Sequence, residues 1–171
     1  MDSESHSHTE RLHAYWRMPY IKANSKKNDS SNPFVDLKDA DESKHHILVK
    51  GTHTCILLNL FPYNAGHLLV LPYREVSDIS DLIDAEQKEF MEFLIKSKSI
   101  LSEALNPDGF NIGFNLGKAA GAGIPKHLHC HVVPRWEGDH NFMPVISDTR
   151  VLPESIDEMW KQLRRFAKTI G

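Results

Sequence analysis

Two spacings of apolar positions divide this chain. Short apolar or alternating runs between turn residues predict strands, and apolar side chains recurring every three or four positions predict helices. Residues 45–50, 54–60 and 67–71 read as three successive strands, broken at Lys50-Gly51 and at Pro62-Tyr63-Asn64-Ala65-Gly66. Asp84-x-x-Gln87 has the form of a capping box and opens a long helix to about Leu105, with Phe90, Phe93, Leu94, Ile100, Leu101 and Leu105 along one face. Asn106-Pro107-Asp108-Gly109 stops that helix, and residues 110–115 and 128–133 supply a fourth and a fifth strand. Ser155-x-x-Glu158 starts a C-terminal helix that places Ile156, Trp160, Leu163, Ala167 and Ile170 on one side. The order predicts an α+β fold: a largely antiparallel five-stranded sheet with one long helix and a C-terminal helix.

The flanks are less regular. Residues 1–10 are polar, and residues 24–32 have the composition of a flexible loop. Between them Tyr15, Trp16, Met18 and Tyr20 are too many large side chains for a loose tail, so this stretch is expected to dock on the body of the protein or on a partner subunit. We therefore divide the chain into a partly flexible N-terminal extension (1–32), a central domain (33–146) and a C-terminal helix packed on that domain (147–171).

Composition narrows the function classes. With 171 residues, a single domain with a sizeable core is expected. A formal net charge of −3 argues against nucleic acid as a partner but leaves room for a small nucleotide. Cys55 and Cys130 both fall in strand-like segments with no C-x-x-C, which predicts a reducing, cytoplasmic setting. No apolar run approaches bilayer length, and residues 1–10 lack the apolar core of a signal peptide, so no membrane partner is expected.

The most distinctive chemistry lies in His127-Leu128-His129-Cys130-His131-Val132-Val133. In a strand the period of two would set three imidazoles on one face and Leu128, Cys130 and Val132 on the other. Three readings remain open: an exposed face that happens to hold histidines, a zinc site lacking an obvious further ligand, or nucleophilic catalysis on phosphorus. The small-residue loop ahead of it, Gly117-Lys118-Ala119-Ala120-Gly121-Ala122-Gly123, suits close backbone approach to an anion and favours the third reading. Lys118 and Lys126 could add positive charge there. Arg135 could contact phosphate but reads better as a structural ion pair, Asp139 as closing a turn rather than a general acid, and Trp136 and Phe142 as core or interface rather than substrate platforms.

The histidine run resembles the signature of the histidine-triad (HIT) family, His-φ-His-φ-His-φ-φ with φ apolar. Asn59 with Gly66-His67-Leu68-Leu69-Val70-Leu71-Pro72 is similar to that family's nucleoside-binding strand pair, and residues 109–117 resemble the strand before its phosphate loop. Pro134-Arg135-Trp136 and Asn141-Phe142-Met143-Pro144 resemble the branch of diadenosine tetraphosphate phosphorylases and related hydrolases.

The resemblance implies that His129 is the nucleophile, that His127 and His131 contact phosphate or hold the imidazole tautomer, and that His67 completes the cluster. It also implies that Asn59 binds ribose, that Asn115 with Gly121, Ala122 and Gly123 holds phosphates, and that Leu57 walls the base pocket, although Leu57 reads equally as core. The implied reaction is nucleotidyl transfer from a dinucleoside polyphosphate to phosphate or water. The alternatives are a phosphoramidate or adenylyl-conjugate hydrolase, or a non-catalytic nucleotide binder. A homodimer with a continued sheet is implied, and no cofactor held by the protein, although a divalent cation could accompany the substrate. Two departures from the family stand out. The side chain that many members place before the triad is replaced by Gly123-Ile124-Pro125-Lys126, and Asn32-Pro33-Phe34-Val35 stands where some members carry a zinc-binding Cys-x-x-Cys, so no structural zinc is expected.

Overall fold

The structure, a computed structural model, describes residues 32–139 and 154–170; the expectations for residues 1–31 and for Phe142 lie outside the described residues. Strands β1 (Ile47–Lys50), β2 (Thr54–Leu58) and β3 (Leu68–Pro72) are followed by a 3-10 turn at Ile79–Asp81 and helix α1 (Asp84–Leu105). Then come β4 (Gly109–Phe114), β5 (Cys130–Arg135) and helix α2 (Ile156–Thr169). The sheet is antiparallel throughout, in the order β1-β2-β3-β5-β4. The α+β class, the five strands and both helices thus match the reading of the sequence.

Strand alternation splits the apolar residues between two faces. On one, Leu48, Ile56, Leu58, Leu68, Val70, Leu128, Cys130 and Val132 meet Phe90, Phe93, Ile100 and Leu101 of α1 and Met159, Leu163 and Ala167 of α2. On the other, Ile47, Cys55, Leu57, Leu69 and Leu71 are covered by Phe34 and Leu37 from the segment before β1. Each fully buried aliphatic side chain contributes about 1.5–3 kcal/mol. Both faces therefore carry core, and among the described residues the helices lie on the first.

Two expectations are corrected. The long helix begins as expected, yet its cap is shifted by one residue. The Glu86 carboxylate accepts from Ile83 N–H at 3.1 Å, while Asp84 lies in the first turn and Gln87 Nε2 donates to Leu82 O. Glu86 wins because Arg74, donating to it at 2.9 and 2.6 Å, already holds it beside the helix start. The second helix is capped as expected, Ser155 Oγ accepting from Glu158 N–H at 3.3 Å.

The second correction concerns the histidine run. β5 starts at Cys130, so His127 and His129 precede the strand and only His131 lies in it. On both sides the ladder ends there: the last β3–β5 pair is Val70 with Cys130, and the last β4–β5 pair is Phe114 with Cys130. Beyond that point the backbone leaves the ladder, and Leu128 N–H donates to Val76 O at 2.6 Å. The expected sidedness survives: Leu128 stays in the helix-side core, and His127 and His129 lie against Phe34 on the opposite face.

Candidate active site

The register sets one row across the face away from the helices. Leu57 pairs with Leu69, Leu69 with His131, and His131 with Gly113. Leu57 is a buried core residue in that row. His67, fully buried, sits in the turn one residue before β3, where Gly66 takes φ +74°. Pairing of β3 with β5 therefore brings together His67 and His131, 64 residues apart in sequence, with Nε2 and Nδ1 at 3.0 Å.

Hydrogen bonding fixes the proton positions. A carbonyl can only accept, so the 2.7 Å contact of His129 Nδ1 with His127 O places a proton on Nδ1, which in the neutral ring leaves the lone pair on Nε2. His127 Nε2 lies 2.7 Å from Pro72 O, so His127 carries its proton on Nε2 and accepts at Nδ1, where Asn32 Nδ2 approaches at 2.7 Å. Burial, the largest influence, pushes the His127 imidazole below its usual range; the Pro72 carbonyl and Glu75 pull the other way. The ring therefore stays neutral, as its acceptor role at Nδ1 requires.

The same argument orders the His67–His131 pair. Tyr63 N–H donates to His67 Nδ1 at 3.0 Å, so the His67 proton is on Nε2 and is given to His131 Nδ1. His131 then bears its proton on Nε2; the atom placed 3.3 Å from it is Asn115 Nδ2, itself a donor, so this contact becomes a hydrogen bond only with the oxygen and nitrogen of that carboxamide exchanged. The Tyr63 ring stacks over the pair, 4.6 Å from His67 and 5.4 Å from His131. With the 129 and 131 rings 5.1 Å apart, the four histidines form one connected set.

Asn59, just past β2, accepts from Phe61 N–H at 3.0 Å and lies 3.3 Å from His67 Nδ1. The loop 117–123 is a folded turn: Gly117 and Gly121 take φ +77° and +83°, Gly121 N–H donates to Lys118 O, and Ala122 N–H donates to Gly117 O. Gly123 is exposed, and His127 N–H bonded to Ile124 O joins the loop to the histidines. Arg135 pairs with Asp139 at 2.6 Å, and Asp139 closes the turn at Trp136, so both are structural as expected. Among the described residues no group of three or more His, Cys, Asp or Glu is placed to hold a metal ion.

Asn32, Phe34, Tyr63, Pro72 and Glu75 belong to this site and were not expected there. Pro72 acts through its main-chain carbonyl and Tyr63 through its N–H as well as its ring, and residue type does not reveal the main-chain contacts. Asn32 stood in a run that reads as loop, and Phe34 packs edge-on to His127, with ring centroids 5.4 Å apart.

A sheet with two faces, helices on one and four tautomerically ordered histidines on the other, defines a class with known members. The family model described as HIT domain matches residues 40–138, and the chain belongs to that family. It is 39% identical over 151 residues to a Mycobacterium tuberculosis protein named AP-4-A phosphorylase, covering 85% of this chain and 77% of that one. It is 32% identical over 92 residues to the Saccharomyces cerevisiae bis(5'-adenosyl)-triphosphatase, covering 53% of this chain and 44% of that one. A Zn-bound histidine triad family protein from Mycobacterium smegmatis shares the fold, with a TM-score of 0.61, 23% identity, and 88% of this chain and 93% of that chain covered.

Proposed function

We propose that this chain is a nucleotidyl-transferring enzyme that cleaves dinucleoside polyphosphates of the diadenosine tetraphosphate type through a nucleotidyl-His129 intermediate. The observation that carries this reading is the bond from His129 Nδ1–H to His127 O, which keeps the lone pair on Nε2. A neutral imidazole in that tautomer is ready to attack phosphorus with no prior proton transfer. Nε2 forms the N–P bond, the P–O bond to the departing nucleotide breaks, and positive charge grows on the ring. The His127 carbonyl, already bonded to Nδ1–H, stabilises that charge where it develops. In the second step an acceptor oxygen attacks the same phosphorus and the P–N bond breaks.

His131, with its proton on Nε2, serves as donor to phosphate oxygens, and His67 holds it in that state. Asn59 would meet the ribose at the end of β2, and Leu57 lies beneath the base side of the site. Phosphate held by the loop would compete with the turn bonds made by Gly121 and Ala122 N–H, so that loop opens when substrate binds. Gly123 N–H and Asn115 complete that cradle. The protein itself requires no cofactor; a divalent cation would arrive with the polyphosphate.

Phosphate is the acceptor we propose, because the relative aligned over most of its length is named a phosphorylase. Among the described residues β4 is an edge strand of the sheet, and Ile112 on it is 47% exposed, which supports a homodimer. Two buried thiols fit a reducing, cytoplasmic setting. Among the described residues no helix is long and apolar enough to cross a membrane.

The test is product analysis of diadenosine tetraphosphate with and without inorganic phosphate, beside His129→Ala. Phosphate-dependent ADP plus ATP, abolished in the variant, is the expected result. Phosphate-independent AMP plus ATP makes water the acceptor. Turnover surviving in His129→Ala refutes the intermediate, and none in wild type points instead to phosphoramidates or to binding alone.

A further inference from the structure

We propose that Asn32 is a positioning residue of this site, fixing the His127 ring and, through it, His129. The inference rests on the reading of His129 as the nucleophile. Its basis is a carboxamide whose every polar atom is committed. Oδ1 accepts from Phe34 N–H at 3.0 Å, which settles which end is oxygen. The two hydrogens on Nδ2 then face Glu75 Oε2 at 2.6 Å and His127 Nδ1 at 2.7 Å.

His127, only 1% exposed, is thus held at both ring nitrogens, by Asn32 from 95 residues away and by Pro72 O from 55. The turn that Asn32 makes also seats Phe34, whose ring lies 5.4 Å from His127 and 5.6 Å from His129. One short turn before β1 therefore contacts both histidines, by a hydrogen bond and by an aromatic wall. Since His127 O is the acceptor for His129 Nδ1–H, a displaced His127 moves the atom that keeps the lone pair on Nε2. Second-partner bonds of this kind orient reacting groups without touching substrate.

Asn32→Ala and the isosteric Asn32→Asp separate positioning from packing. An aspartate oxygen cannot donate to Nδ1. It forces a second proton onto the His127 ring or loses the contact, and it also faces Glu75. The charged or titratable groups around that ring are Glu75 and His129, with Lys126 adjacent in sequence. Measured together are kcat, KM and the imidazole ¹⁵N–¹H spectrum of the resting protein.

The expected result is a fall in kcat of about tenfold in both variants, the scale of one hydrogen bond, with KM within about twofold and altered His127 and His129 imidazole signals. Wild-type kcat in Asn32→Asp, or imidazole signals unchanged in it, overturns the proposal. Should Asn32→Ala fail to fold, Asn32→Asp alone decides. The underlying reading fails separately: turnover in His129→Ala sinks the nucleophile, whereas the resting spectrum still reports whether Asn32 holds His127.

Discussion

Gly66 couples the stability of this fold to its histidine cluster, and replacing it with alanine tests both. The residue precedes His67 with φ +74°, in the left-handed region that costs an L side chain about 1–2 kcal/mol. A Cβ there would lie 2.5 Å from Leu105 Cδ1, 3.2 Å from Leu101 Cδ2 and 3.4 Å from Pro134 Cγ. Leu105 can swing away at the end of α1, but Leu101 is fully buried and limits the space. Overpacking of this kind adds about 1–3 kcal/mol. Gly117 supplies the control: its φ is +77°, yet nothing lies within 4 Å of its Cβ position. Gly117→Ala should therefore cost about 1–2 kcal/mol and Gly66→Ala about 2–5 kcal/mol. Urea unfolding of both variants, with unchanged m-values, measures the difference. Gly66→Ala should also lower kcat, because its backbone sets His67 against His131. Equal costs for the two variants would refute the packing argument.

Two further outcomes follow from groups away from the histidines. The hydrogen bond from Arg74 holds the Glu86 carboxyl below the usual carboxylate range. A depressed folded-state pKa contributes stability that is present above the unfolded value of about 4.3 and lost as pH falls through the folded one. Glu86→Gln should therefore trail wild type at neutral pH, with the gap closing below about pH 4; a pH-independent gap in chemical unfolding would contradict this. Burial pushes the Cys55 and Cys130 thiols up to about 12, so a disulfide reagent should titrate both only after denaturation. Native-state labelling of either at the rate of an exposed thiol would show that the strand core opens.

Periodicity made the fold legible because both helices and most strands carry an unbroken apolar code. The helix cap was misjudged because Asp84 and Gln87 have the right spacing, whereas Glu86 is preferred through Arg74, 12 residues back in sequence. The histidine run was legible as a two-sided segment because alternation records which way side chains point. It does not record where a ladder ends. That is decided by tertiary partners: ahead of Cys130 the Leu128 N–H turns to Val76 O rather than to β3.

The candidate site shows why residue types alone reach only halfway to chemistry. Histidine, asparagine and glycine at fixed spacings nominate candidate side chains, and the fold brings the four histidines, Asn59 and Asn115 close together. What makes those imidazoles distinct is which nitrogen bears the proton. Here the deciding partners are main-chain atoms: Pro72 O for His127, His127 O for His129 and Tyr63 N–H for His67. Every residue except proline offers both an N–H and a C=O, so no letter of the sequence marks the ones that matter. They become visible only when register and turn geometry bring them to a ring. It follows that a substitution at position 72 that preserves the backbone path should spare the chemistry, whereas a backbone shift at 63 or 72 should damage it even with all four histidines in place.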